Sequence, residues 1–370
     1  MDVFKFTNPK HPMRMEYGEI INGLTKKTWV ERYAEAGEFS FTAPASAGIQ
    51  NKLPIGSFVS HTNSTEIMIV ENHEINEDFD QETQVIISGR GFETILERVI
   101  IGLNKTFPTI AEASDYTMPY DVLWTQIKNL IQRHIYKSYV TDPNNAIPYI
   151  EVINKVSASG TSSERSVQQS DLYSTVIGLI QEAEIGIKVV RPGSWSPVTT
   201  SYNIGLVLHI GANKQNSVTF SYSNDEISSA DYLWSNQQDK NCAFVYSTWL
   251  ETVVLGSQIE QDRRWLMVDA SDIDNNYESP PSDANTLIDI LNKMRQRGFS
   301  QIGQKKPTSL TKVELDKETI TAVYGKDYNL GDLISITGNY NQKQIQRVIE
   351  YVEIEDETGR SAYPTLADPL

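Results

Sequence analysis

Ile55-Gly56-Ser57-Phe58-Val59-Ser60, followed by Val70-Glu71-Asn72-His73-Glu74-Ile75, decides the reading of this chain because it returns near the other end. There, Leu330-Gly331-Asp332-Leu333-Ile334-Ser335 is followed by Ile349-Glu350-Tyr351-Val352-Glu353-Ile354. The Gly-to-Glu spacing is 15 positions in the first copy (56 to 71) and 19 in the second (331 to 350). A longer hairpin tip absorbs the difference. Each copy reads as turn, strand, loop, strand and then an acidic turn, at residues 76–83 and 355–359. Two copies predict two related β-domains in one polypeptide. In a symmetric oligomer such a chain presents twice as many similar domains as it has subunits.

The composition suits that reading. With 370 residues the chain is long enough for two or three cores. Its 39% hydrophobic and 9% aromatic content is that of a globular protein, and the 18 Tyr, with many Thr, Val and Ile, lean it toward strands. The single Cys242 excludes an internal disulfide scaffold and a cysteine-based zinc site within one chain. Met1-Asp2-Val3-Phe4-Lys5 lacks the basic-then-apolar pattern of a signal peptide, so none is expected. No apolar run approaches the ~20 residues of a membrane span. The net charge of −16 is spread evenly: residues 1–90, 91–190, 191–300 and 301–370 each carry 8 basic side chains, against 13, 11, 13 and 11 acidic ones. Tight binding to a phosphate backbone needs clustered cations, and these are missing.

The pattern along the chain predicts a β-rich α+β fold. Residues 1–90 read as a first β-domain, in which Phe39 and Phe41 alternate with polar neighbours. Gly89-Arg90-Gly91 ends the sheet pattern. Phe92, Ile95, Leu96, Val99 and Ile100 then follow at helical spacing. Residues 91–186 read as a mostly helical insert. Asp121 is expected to cap a helix with Leu123, Ile127, Leu130, Ile131 and Ile135 on one face. Asp171 is expected to cap another with Leu172, Val176, Leu179, Ile180 and Ala183. A polar linker, 157–163, lies between them, and Pro192-Gly193 with Trp195-Ser196-Pro197 reads as a long loop. Residues 187–370 read as a second β-rich domain. It holds one helix near 283–297, with Leu287, Ile290, Leu291 and Met294 buried and Gly298 as its C-terminal cap. The C-terminal copy of the opening signature spans about 310–366.

A search for chemistry assigns no catalytic, cofactor-binding or metal residue. The sequence holds no G-x-S-x-G, P-loop, strand-borne G-x-G-x-x-G or H-E-x-x-H. Gly89-Arg90-Gly91 lacks the further glycine and the lysine of a phosphate cradle and reads as a strand-to-helix turn. His11, His61, His73, His134 and His209 are scattered, with none paired at ligand spacing. The acidic loop 269–283 offers Asp269, Asp272, Asp274, Asn276 and Glu278. However, Tyr277 stands where a calcium loop needs Gly, and Asp283 stands in place of the terminal Glu. Carboxylate pairs for glycoside cleavage need not be close in sequence, and no pair is selected. Trp29, Trp195, Trp234 and Trp249 are sugar-stacking candidates whose default role is core or interface.

Several motifs together resemble tail hub proteins of long-tailed phages and prophages. They are Trp29-Val30-Glu31-Arg32-Tyr33, Gly37-Glu38-Phe39-Ser40-Phe41-Thr42-Ala43-Pro44, Ile69-Val70-Glu71 and Ile86-Ile87-Ser88-Gly89-Arg90-Gly91-Phe92-Glu93. Later come Arg263-Arg264 with Val268-Asp269-Ala270-Ser271-Asp272, then Tyr328-Asn329-Leu330-Gly331-Asp332 with Arg347-Val348-Ile349-Glu350. Residues 103–170 and 195–240 match least. The resemblance implies two tail-tube-like β-barrel domains in one chain and a homotrimeric ring at the distal end of the tail. That ring joins the tube or distal tail protein to the tip or fibre apparatus, in reach of a tape-measure protein, and DNA passes through it without specific binding. It also implies a structural virion protein of the tail tip, assembled in the host cytoplasm, with no enzymatic activity and no cofactor. The alternatives are a carbohydrate-binding or glycoside-cleaving β-protein and the hub of a contractile injection system.

Overall fold

Both glycine-led hairpins form, and they form alike. The computed structural model describes residues 3–7, 16–77, 82–101, 116–136, 146–147, 149–157, 162–167, 170–191, 204–235, 239–256, 262–274, 277, 279–303, 305, 308–316, 318–338 and 343–369. Gly56 and Gly331 have φ of +85° and +86°, a conformation that costs an L-residue with a Cβ ~1–2 kcal/mol. Gly56 N donates to Val70 O at 2.7 Å and Gly331 N to Val348 O at 2.7 Å. The return bonds are Val70 N to Ser57 O at 2.9 Å and Val348 N to Asp332 O at 3.0 Å. The strands leaving the turns pair Phe58 with Ile69 and Leu333 with Arg347. Each returning strand then carries a bulge, between Val70 and Asn72 and between Val348 and Glu350. Val70 is therefore the counterpart of Val348, and Glu71 that of Ile349. The sequence match on Glu71 and Glu350 was one residue out of register, because it paired like residues, whereas the backbone bonds pair Val70 with Val348.

The hairpins belong to one eleven-stranded sheet. In chain order its strands are β1 (Val3–Thr7), β2 (Glu16–Ile21), β3 (Lys26–Arg32), β4 (Glu38–Pro44), β5 (Phe58–His61), β6 (Met68–Asn76), β7 (Gln84–Gly91), β13 (Thr219–Ser221), β19 (Leu333–Thr337), β20 (Lys343–Asp356) and β21 (Gly359–Ala367). The spatial order is β13-β19-β20-β3-β4-β7-β6-β5-β1-β2, with β21 also paired to β20. The alternation read in Phe39 and Phe41 buries them with Trp29, Val59, Met68, Val70, Val85 and Ile87 in one core. Ring centroids there lie 4.6 Å apart for Phe39–Phe41 and 5.9 Å for Trp29–Phe39.

Residues 91–186 hold the two expected helices and several short strands. The helices are α2 (Leu123–Ile135) and α3 (Leu172–Glu182). β8 (Tyr116–Val122) pairs with β10 (Ser162–Val167), while β9 (Ile150–Asn154), β12 (Ile204–His209) and β11 (Gly186–Val190) form a three-stranded sheet. The stretch read as helical after Gly91 is a 3-10 turn, Phe92–Arg98. Asp171 caps α3 as expected, accepting from Ser174 N at 2.7 Å. Asp121 lies one residue outside the α2 cap, which is Val122, and accepts from Val122 N instead. Ile127, Leu130 and Ile131 of α2 and Val176 and Ile180 of α3 share a core with Phe92 and with Phe6, Ile67 and Ile69 of the first β-region. Because that core crosses residue 90, compactness divides the chain elsewhere than at the expected 90 and 186. One unit is Met1–Ser229 with Val313–Leu370, and the other is Ala230–Lys312. Part of the expected linker lies in β10, while 158–161 and 192–203 lie outside the described residues.

The ribbon of β14 (Ile227–Ser235) and β18 (Thr308–Leu315) contains both unit boundaries. Within the smaller unit, β15 (Cys242–Tyr246) pairs antiparallel with β16 (Glu251–Leu255) and parallel with β17 (Trp265–Asp269). Helix α4 (Ala284–Gly303) covers one face through Ile290 and Met294 against Ala243, Val245, Val254 and Val268. The short α1 (Ile49–Lys52) lies in the larger unit. Asp283 caps α4 by accepting from Thr286 N at 2.8 Å. The helix does not stop at Gly298 as expected. A Cβ there would lie 2.7 and 2.8 Å from methyl groups of Val254 and Val245, so this glycine serves close helix–sheet approach rather than termination.

Candidate functional site

Those candidate ligands that lie among the described residues are engaged within the chain. In the acidic loop, Asp274 is fully buried. It accepts from Ser247 Oγ at 2.6 Å, Thr248 N at 2.9 Å and Trp249 N at 3.1 Å. Asp272 forms a two-pronged ion pair with Arg297, which holds its carboxyl below the usual range. Asp269 accepts from Ser271 N at 2.9 Å, while Asn276 and Glu278 lie outside the described residues. Among the described residues no group of three or more His, Cys, Asp or Glu is arranged to hold a metal ion.

The histidines and tryptophans are likewise separate. His61 stacks edge-on to Trp29 at 4.6 Å, and burial first, then Lys27, pushes it down to about 2. His209 meets Tyr33 edge-on at 5.3 Å and is pushed down to about 3 by burial. His73 Nε2 contacts Leu53 O and His134 Nδ1 contacts Leu130 O; His11 lies outside the described residues. Trp29 is buried. Trp249 is partly exposed with its Nε1 donating to Tyr277 O at 3.0 Å. Trp195 lies outside the described residues, and Trp234 lies in β14.

A carboxylate cluster exists where the sequence selected none. Glu31 on β3, Glu66 just before β6 and Glu93 in the 3-10 turn are 4%, 4% and 2% exposed. Glu31 accepts from Trp29 Nε1 at 3.2 Å, from Ser64 Oγ and from Tyr324 Oη at 2.8 Å. Glu93 Oε1 accepts from Val189 N at 2.7 Å, and its Oε2 has no hydrogen-bond partner. Burial, with the charge of Glu31, raises Glu93 to about 7. Burial, with Glu31 and Glu93, raises Glu66 well above the carboxylate range. Raised carboxyls are what a glycosidase acid needs, but a group this enclosed meets no saccharide. The cluster instead ties β3, the 64–66 turn, β11 and the Tyr324 segment together in one proton-retaining knot.

A second knot surrounds Tyr33. Its hydroxyl donates to Glu184 O at 3.1 Å, and the guanidinium of Arg347 lies 5.4 Å from its ring centroid. A Cβ on Gly331 would lie 2.6 Å from Tyr33 Cζ, and one on Gly186 would lie 2.5 Å from Cδ2. Beside it runs the β3–β20 seam, pairing Arg32 with Glu350 through to Lys27 with Glu355. Lys27 and Glu353 form a buried ion pair, 3% and 1% exposed, and Arg360 adds a bond to Glu353 at 2.8 Å. Arg32 bonds Glu350 at 2.7 Å. Buried pairs add little net stability, because desolvation offsets the attraction. They do penalise every other register between the two strands.

Four exposed apolar side chains lie together on the face of the smaller unit's sheet opposite α4. Register sets Leu255, Cys242 and Trp265 in one row, Val253, Phe244 and Met267 in the next, and Glu251, Tyr246 and Asp269 in the third. Val253 is 48% exposed, Leu255 44%, Trp265 42% and Met267 68%. Contiguous exposed apolar side chains on a folded chain mark an interaction surface. No described helix is long and apolar enough to cross a membrane.

Residues 13–366, nearly the whole length, match one family model. The chain belongs to the Siphovirus ReqiPepy6 Gp37-like protein family. Solved structures share the architecture of this family member from end to end. The 43 kDa tail protein of prophage MuSo2 from Shewanella oneidensis is 14% identical at a TM-score of 0.55, covering 100% of this chain and 99% of that one. The tail protein from Neisseria meningitidis MC58 is 10% identical at a TM-score of 0.53, covering 95% and 94%. At such identities the likeness is one of fold. No curated protein matches the chain. The family is a siphovirus one, the two solved structures that share its fold are tail proteins, and the fold here is β-rich α+β.

Proposed function

We propose that this tail protein is the tail hub, a non-enzymatic ring of three chains at the distal end of the tail tube. The observation that carries the reading is the repeated hairpin, with the same left-handed glycine, the same pair of backbone bonds and the same following bulge at both ends of the chain. On this reading the regions around 1–90 and 310–366 are copies of one tube-like domain. Three chains then offer six similar domains to a six-fold tube, which resolves the mismatch between three-fold and six-fold symmetry. One face of the ring meets the tube or distal tail protein, and the other meets the tip or fibre apparatus. DNA and the tape-measure protein pass through the centre. The evenly spread charge of −16 supports passage without retention, since each cationic phosphate contact would add affinity and drag. Assembly in the host cytoplasm and residence at the virion tail tip follow from the same reading.

Copy number and position test the proposal. Imaging of purified tails, with native mass of the distal complex, is expected to give three chains around an open channel with a neutral to acidic lining. One chain per tail, or a channel lined by a continuous basic stripe, would refute it. The absence of activity is tested separately. Turnover of cell-wall glycans that disappears on a single Asp or Glu substitution would overturn it.

A further inference from the structure

We infer that the uncovered sheet face of the smaller unit is the seat for helix α4 of a neighbouring copy, so that each sheet is sandwiched between its own α4 and the next chain's. The inference rests on the reading that several copies assemble around the tail axis, and goes beyond it by naming the contacting surfaces. The sheet face presents Val253, Leu255, Trp265 and Met267 to solvent and ends in the exposed carboxylates of Glu251 and Asp269. Its opposite face is already filled by α4. A three-stranded sheet with one dry and one apolar but wet face lacks one layer of the two or three that such sheets acquire.

The missing layer is present on the same chain in complementary form. Ile290, Met294 and Gly298 of α4 are buried, and the helix turns a second stripe to solvent at i, i+4, i+7 and i+11: Ile288, Asn292, Arg295 and Phe299. Ile288 is 56% and Phe299 55% exposed. The C-terminal part of that stripe, Arg295 followed one turn later by Phe299, matches an apolar sheet face that ends in carboxylates on one side.

The spacing fits as well. Arg295 and Phe299 are ~6 Å apart along the helix, from a rise of about 1.5 Å per residue. The Glu251–Asp269 row lies ~6.6 Å from the Val253–Met267 row, from about 3.3 Å per strand residue. Phe299 seated on Val253 and Met267 therefore delivers Arg295 to Glu251 and Asp269. The two surfaces differ, so the contact is heterologous and repeats head to tail, as closure of a ring requires. A face-to-face pairing of two sheets would be isologous and would instead make dimers.

Site-directed cross-linking in purified tail particles tests this. One sample carries a mixture of Met267→Cys chains and Phe299→Cys chains of distinguishable mass, treated with a short bis-maleimide. The native Cys242 is buried, and untreated wild-type tails serve as the baseline. The expected result is a linked pair containing one chain of each kind, with none in tails holding only one variant. Arg295→Glu in the Phe299→Cys chain is expected to lower the yield roughly two- to fivefold, the range of an exposed ion pair, and Glu251→Arg on the other chain to restore it. Self-linking of Met267→Cys chains would overturn the inference in favour of sheet-to-sheet contact. Three chains per tail with no mixed link would overturn it while leaving the ring intact. A single chain per tail would remove both.

Discussion

Replacing Gly331 by Ala should cost measurably more than the same change at Gly56, and the difference should come from Tyr33. The two glycines share their backbone conformation, φ +86° and +85°, so each substitution carries the same ~1–2 kcal/mol for forcing an L-residue into the left-handed region. Their surroundings differ. Nothing lies within 4 Å of a Cβ built on Gly56, whereas one on Gly331 would lie 2.6 and 2.7 Å from Cζ and Cδ2 of Tyr33. That ring is 3% exposed, held by its bond to Glu184 O and flanked by Arg347, so it has nowhere to move. Overpacking of this kind adds about 1–3 kcal/mol. Gly331→Ala should thus lose roughly 2–5 kcal/mol, and Gly56→Ala roughly 1–2. Urea unfolding of the two variants and of wild type, analysed at constant slope, measures the gap. Adding Tyr33→Leu to Gly331→Ala should recover the excess, a coupling visible in a double-mutant cycle. Equal losses at both glycines, or no coupling to Tyr33, would refute the packing account.

Three further outcomes are expected. Glu93 keeps its proton to about pH 7 when folded, against an ordinary carboxyl near 4.3 when unfolded. Its contribution is therefore fully present below the unfolded pKa and is lost as pH rises toward 7, on the order of 3 kcal/mol in all. Glu93→Gln should flatten that slope in stability measured from pH 4.5 to 8, and an unchanged slope would count against the proton-retaining knot. Gly298→Ala should destabilise the smaller unit by about 1 kcal/mol or more despite the higher helix propensity of Ala, because Val245 and Val254 occupy the space. Thermal unfolding should show recovery when Val254→Ala is added. Lys27→Met should cost about 1–3 kcal/mol, because Glu353 loses its buried partner and keeps only the half-exposed Arg360, while Lys27→Met with Glu353→Met should cost less, as compared by chemical denaturation.

Features governed by local chemistry were legible in the sequence. The glycines before β-forming residues marked both turns, the 3.6-residue spacing placed α2 and α3 and their buried faces, and Asp171 was read correctly as a cap. The one-residue error between Glu71 and Glu350 arose because like residues were matched, whereas only the backbone bonds of Gly56 to Val70 and Gly331 to Val348 fix the true equivalence. Gly298 follows Met294-Arg295-Gln296-Arg297, which is how a helix end reads. Only the position of Val245 and Val254 reveals it as a packing site. The cluster of Glu31, Glu66 and Glu93 and its tie to Tyr324 was illegible, because its members are far apart in sequence and each alone resembles a surface acid. The uncovered sheet face was hidden for a related reason. Its apolar residues, on β15, β16 and β17, alternate with core residues, and alternation alone does not say which face a helix will cover.

The seam between β3 and β20 has a consequence for the order of events during synthesis. Lys27 meets Glu353 across 326 positions of sequence. At ~5–20 residues per second a ribosome takes on the order of tens of seconds to bridge that distance. Throughout that interval β3 has β4 on one side and an unpaired row of backbone donors and acceptors on the other, a template open to any passing strand. The Lys27 side chain, destined for burial, stays hydrated until its own partner arrives, and an uncharged intruder would have to strip it of water without compensation. The same charge that fixes register in the finished sheet therefore guards the edge of the unfinished one. A chain truncated before residue 343 would lack the strand that links β3 to β19, and that edge of β3 would stay open.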